Sequence, residues 1–145
     1  MPKVLCVCFC GTSRSQMMAA FLQKELGDKF EVESAGLCEE TAGRSAGECA
    51  IKCMMEEGID ISSQKSSWIK NVDLSEFSHI VSVDEETEKM LSEHALGLRD
   101  IKFIVANEEQ GGVFDPYGMD QHIYKECANL IEKSAAAIAS QIRGE

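Results

Sequence analysis

The sequence predicts an α/β fold of three layers, α/β/α, built on a central four-stranded parallel sheet. Two observations carry this. Four short apolar runs of strand character alternate with stretches of helical periodicity, and that alternation builds a parallel sheet covered by helices on both faces through right-handed crossovers. The first run also passes through a glycine-containing loop directly into a helix. The carboxyl ends of strands are where open α/β sheets bind their ligands.

The first strand is "KVLCVCF", residues 3–9, and Cys6, Cys8 and Cys10 alternate, so on a continuing strand they would share one face. A helical stretch follows over 15–30, with apolar positions at Met17, Ala20 and Phe21. "FEVES" (30–34) reads as a second strand closed by Ala35 and Gly36. The loop "LCEETAG" leads to a helix from about 45 to 57, ended by Gly58 as its C′ residue. "SHIVSVD" (78–84) and "IKFIV" (101–105) are the third and fourth strands, with the helical stretch 85–95 between them. Residues 120–142 form a long amphipathic helix.

A chain of 145 residues is long enough to bury one core, and with no repeat, linker or low-complexity segment it is expected to form a single domain over 1–145. Hydrophobic content of 44% with 27% charged residues is that of a globular chain. The net charge of −11 argues against nucleic-acid partners and against docking on anionic membrane, since both need basic surface. "MPKVLCVCFC" carries no cleavable-signal pattern, and charges interrupt every apolar run, so a cytoplasmic location and a monomer are expected. Seven irregularly spaced cysteines do not form a secreted disulfide framework. Cys-x-Cys without a second pair or a nearby His is a weak metal motif. Neither a metal nor another cofactor is expected.

The chemistry concentrates in "VCFCGTSRSQMM", residues 7–18. Cys8 and Arg14 stand five residues apart, and a helix begins at about Ser15. A loop of this length can curl so that its N–H groups and the helix N-terminus converge on one phosphate-like oxyanion. Arg14 adds a planar fork of donors that grips two oxygens. The same positive surroundings favour the thiolate form of Cys8, the nucleophile of covalent phosphoryl transfer. The plain alternative is a core cysteine and a surface arginine. Gly11 inside the loop and the strand-to-helix setting favour the phosphate loop.

Cys8-Phe9-Cys10-Gly11-Thr12-Ser13-Arg14-Ser15 resembles the signature of the low molecular weight protein tyrosine phosphatase family, Cys-x-Gly-Asn-x-Cys-Arg-Ser. Cys8, Arg14 and Ser15 match, whereas Cys10, Gly11 and Ser13 replace Gly, Asn and Cys. Gly and Asn both tolerate positive φ; Cys10 adds a Cβ where the loop is expected to be tightest. The resemblance extends through "ESAG" (33–36), "EEGIDISSQKS" (56–66), "VSVDEE" (81–86) and "DPYG" (115–118). It implies Cys8 as nucleophile, Arg14 as phosphate clamp and Asp115 as general acid. Phe9, Cys10, Gly11, Thr12, Ser13, Ser15 and Tyr117 would surround the substrate, with Asp84 as a supporting carboxylate. Ser15 would either hydrogen-bond the thiolate or cap the helix, and Asp84 would either orient Arg14 or cap the helix near Glu85. A carboxylic acid over the pocket can protonate the leaving oxygen, though Asp-Pro also begins ordinary turns. His79, His94 and His122 match no catalytic position, and Tyr124 is a helix-face residue.

The resemblance implies hydrolysis of phosphotyrosine in proteins through a phosphocysteine intermediate, or action on a small phosphoester. Three rivals stand beside it. Thr12 sits where the family's phosphoarginine phosphatases carry threonine, and "LCEETAGR" lacks the aromatic residue that tyrosine-specific members place there. "RSQM" (14–17) is closer to the thioredoxin-linked arsenate reductases, but the stretch 80–95 lacks the two relay cysteines that their mechanism needs. A non-hydrolytic phosphate-binding or carrier module would lack the arginine and the aspartate loop.

Overall fold

The computed structural model describes residues 1–144; Glu145, the last residue of the expected domain, lies outside them. The elements run β1 (Lys3–Cys8), α1 (Arg14–Leu26), β2 (Glu31–Gly36), α2 (Glu48–Glu56), β3 (His79–Ser82), α3 (Glu85–Ser92), β4 (Lys102–Val105) and α4 (Gln121–Ile142). All strand pairs are parallel, in the order β2-β1-β3-β4. The predicted sheet and its strand count are therefore observed.

Alternation along β1 divides the core. Val4 and Cys6 join Met17, Met18, Leu22, Met54, Ile131 and Ile138, the faces of α1, α2 and α4 turned towards the sheet. Leu5 and Val7 point the other way, onto Ile69, Leu74, Phe77, Ile80 and Leu91. That second face is covered by α3 and by short 3₁₀ turns at Ile69–Asn71 and Leu74–Glu76. Burial of both faces is why β1 reads as a continuous apolar run.

Several boundaries differ from the sequence reading, among them β2, which runs on through Ala35 and Gly36, and β3, which ends at Ser82. The first helix stops at Leu26 because Gly27 turns the chain into a 3₁₀ turn over Gly27–Lys29. The second starts at Glu48 rather than near 45, because Ser45 pairs with Lys65 in an isolated antiparallel bridge. Its end is as predicted: Gly58 N–H reaches Met55 O and Ile59 N–H reaches Met54 O. The third helix ends at Ser92, three residues early. Cys10 lies beyond the end of β1 and so shares no strand face with Cys6 and Cys8. No helix among the described residues is long and apolar enough to cross a membrane.

The chain leaves β1 for β2 on one side and later returns to β3 on the other. The order therefore switches at β1, and its carboxyl end opens a crevice suited to a ligand. Cys8 is the residue at that end.

Candidate active site

Cys8 closes β1 and is 3% exposed, and Arg14 opens α1 and is 5% exposed. Between them the direction of each peptide decides what the loop can bind. Phe9 O accepts from Leu37 N–H (2.9 Å) and Cys38 N–H (3.0 Å). Cys10 O accepts from the hydroxyls of Thr41 and Ser66. Gly11 O accepts from Gln16 Nε2 (2.9 Å), Thr12 O from Gly47 N–H (2.9 Å) and Ser13 O from Met17 N–H (3.0 Å). Five successive carbonyls are thus held by the surrounding protein. In a planar trans peptide the N–H points opposite to the C=O, so the N–H groups of residues 10–14 turn inward. Gly11 N–H meets Cys8 Sγ at 3.0 Å. A concave row of N–H groups at a helix N-terminus is an anion cradle.

Gly11 is the tight point. Its φ is +73°, and a Cβ there would stand 2.6 Å from Ser66 Oγ and 2.8 Å from Gly36 N. Glycine is thus required at 11 on both counts. The expectation that Cys10 occupies the tightest position is corrected: its backbone is not in the positive-φ region, and its thiol is partly exposed. Ser15 Oγ lies 3.0 Å from Cys8 Sγ. It is a partner of the sulfur and does not cap α1, whose N-cap position is Ser13; the Ser13 side chain makes no capping bond.

Arg14 is anchored on one side. Nη1 donates to Asp84 Oδ2 (2.7 Å) and to Val113 O (2.7 Å), while Nη2 lies 3.8 Å from Asp115 Oδ2. Asp84 does both of the things expected of it as alternatives: its Oδ1 also accepts from Thr87 N–H at 2.7 Å as the N-cap of α3. Burial pushes the Asp84 carboxyl up, but the hydrogen bonds from Thr87 and Arg14 outweigh it and hold it below the ordinary carboxylate range. Burial works against the Arg14 charge too, but the Asp84 bond together with the charges of Cys8, Asp84 and Asp115 outweighs it.

Asp115 stands on the loop between β4 and α4. Its side chain is exposed, with Oδ1 accepting from Tyr117 N–H at 3.0 Å. Arg14, touching both Val113 and Asp115, joins this loop to the cradle. Phe9, Phe114 and Tyr117 expose their rings on the two loops. Tyr124 is on α4 as expected, and is buried there. Thr12 is half-buried in the cradle.

The other cysteines differ in surroundings. Burial pushes the Cys6, Cys10, Cys53 and Cys127 thiols up, Cys127 to about 12, which keeps them protonated. No group of three His, Cys, Asp or Glu side chains that could hold a metal ion is found among the described residues. Sequence reasoning missed Gln16, Thr41, Ser66, Gly47 and the Val113 carbonyl. It also missed Gly112, where a Cβ would fall 2.3 Å from Asp84 Cα. The sequence held two hints: the paired Gly111-Gly112, as a turn, and Gln16, as a polar residue among the apolar positions of α1.

Comparison with known proteins agrees with this architecture. The chain is 46% identical over 65 residues to arsenate reductase 1 of Staphylococcus epidermidis, covering 45% of this chain and 46% of that protein. It therefore spans about half the length of that relative. Over 141 residues it is 27% identical to the probable low molecular weight protein-tyrosine-phosphatase EpsP of Ralstonia nicotianae, covering 97% and 95% of the two chains. The YwlE arginine phosphatase of Geobacillus stearothermophilus superposes with a TM-score of 0.87 at 24% identity, over 99% of this chain and 94% of that one, and so shares the fold. The sequence pattern of the low molecular weight phosphotyrosine protein phosphatases matches residues 3–145, and to that family the chain belongs.

Proposed function

We propose that the protein is a phosphatase acting on phosphotyrosine in proteins through a phosphocysteine intermediate. The observation that carries this is the row of outward-held carbonyls at 9–13, which turns the loop N–H groups towards the Cys8 sulfur. Cys8 thiolate attacks phosphorus, with the loop N–H groups and the free edge of the Arg14 fork carrying the phosphoryl oxygens. The P–O bond to the leaving group breaks, and Asp115 gives its proton to the departing oxygen. Asp115, now a carboxylate, takes a proton from water as the water oxygen attacks phosphorus. The S–P bond breaks, and Ser15 Oγ–H stabilises the thiolate that leaves. The exposed rings of Phe9, Phe114 and Tyr117 favour an aryl substrate over a flexible one.

A second reading, phosphoarginine, rests on Thr12 in the cradle and on the loop 37–44, which carries no aromatic ring. It draws support from the shared fold of the arginine phosphatase. Hydrolysis of phosphotyrosine and phosphoarginine side by side, with arsenate reduction as a control, tests the choice. Faster turnover of phosphotyrosine is expected. The Cys8→Ser protein should fold and lack turnover; wild-type activity in it would refute the mechanism.

A further inference from the structure

We propose that Gln16 is a positioning residue for the anion cradle, acting through the Gly11–Thr12 peptide; this rests on the phosphatase reading above. Gln16 is on the first turn of α1 and is wholly buried. Its Nε2 donates to Gly11 O at 2.9 Å. Gly11 has positive φ and no side chain, so nothing of its own restrains the peptide that follows it. Without the Gln16 bond that peptide is free to rotate, and its two ends move together. Holding Gly11 O outward therefore aims Thr12 N–H at the oxyanion.

A second observation is independent of this bond. Gln16 Oε1 is buried and has no hydrogen-bond partner in the protein. Leaving such a group unsatisfied destabilises the fold, and a methionine or leucine at 16 would fill the same core position without that cost. A glutamine whose acceptor is orphaned and whose donor meets the peptide that follows a positive-φ glycine is a stability cost retained at a working site. Thr41 and Ser66 clamp the preceding peptide at Cys10 O from outside the loop. The Gly11 carbonyl has Gln16.

The test compares Gln16→Met and Gln16→Glu with wild type by inorganic phosphate binding, from ³¹P line broadening and from inhibition of turnover, together with thermal melting. In Gln16→Met the fold should hold, with a melting temperature close to wild type, while the phosphate Kd and the inhibition constant rise together by about tenfold, the equivalent of one well-made hydrogen bond. Both constants are independent of the fraction of protein that is active, so partial misfolding does not move them. Gln16→Glu should bind poorly at pH 8 and recover relative to wild type as the pH falls and the buried carboxyl gains a proton that it can donate to Gly11 O. Unchanged phosphate affinity in Gln16→Met, or no recovery of Gln16→Glu at low pH, overturns the proposal. Wild-type protein that binds phosphate but hydrolyses no phosphoester would instead overturn the phosphatase reading, and the Gln16 comparison would still be decided by the binding constants.

Discussion

Replacing Asp84 separates the two bonds that this carboxylate makes. In Asp84→Ala both go: the cap on Thr87 N–H and the partner of Arg14 Nη1. Loss of an N-cap costs about 0.5–2 kcal/mol, and loss of a hydrogen bond to a charged group about 1.5–3 kcal/mol. The Asp84 side chain is 23% exposed, so water partly replaces it beside Arg14; the whole loss should come to about 2–4 kcal/mol. Asp84→Asn keeps a capping oxygen for Thr87 but turns its NH2 towards Arg14, so the charge and the acceptor for Nη1 are both lost, and it should cost about 1–2 kcal/mol. Turnover should drop in both, by tenfold or more, because Nη1 of Arg14 is then held only by Val113 O.

The pH dependence supplies a sharper check. The folded carboxyl lies below the ordinary value. Its contribution is therefore complete above the unfolded value of about 3.9 and is lost as pH falls through the lower folded value. Urea unfolding of wild type and Asp84→Asn should give a stability difference that is constant from about pH 5 to 7 and shrinks below about pH 4. A difference that is absent at pH 7, or that grows on acidification, would show that the Asp84–Arg14 pair does not stabilise the fold as argued.

Asp115→Asn should lose about 10²–10⁴ in rate on poor leaving groups, the span of acid–base assistance, and much less on an activated aryl phosphate; equal losses on both would leave Asp115 a structural role only. Gly112→Ala should lower both the melting temperature and turnover, because a Cβ 2.3 Å from Asp84 Cα displaces the residue that anchors Arg14; a wild-type melt would contradict the packing. Peroxide should inactivate the protein with poor recovery on adding dithiothreitol. Ser13 stands where the signature that this loop resembles carries a second cysteine, and the Cys10 carbonyl is clamped by Thr41 and Ser66 against the movement a Cys8–Cys10 bridge would need. Full reactivation with a mapped Cys8–Cys10 disulfide would refute this.

The parts of this molecule that could be read from its sequence are those whose physics is local. Strand and helix periodicities depend on residues a few positions apart, and they yielded the sheet. Cys8, Gly11 and Arg14 lie within one loop, so their spacing alone brought them to one strand end. Helix limits were less accessible, since the start of α2 depends on Ser45 pairing with Lys65 across twenty residues. The groups that orient the loop were not accessible at all. Thr41 and Ser66 reach Cys10 O from 31 and 56 positions away, and a lone threonine or serine in a polar loop has no pattern that distinguishes it from solvent-facing neighbours. Gln16 is the instructive exception. It is local to the loop, and a glutamine on the apolar face of a helix, between Ser15 and Met17, conflicts with the pattern around it. Such local conflicts gather where function opposes stability, so the polar residue on the buried face of α1 was itself an indication that the adjacent loop needed a donor.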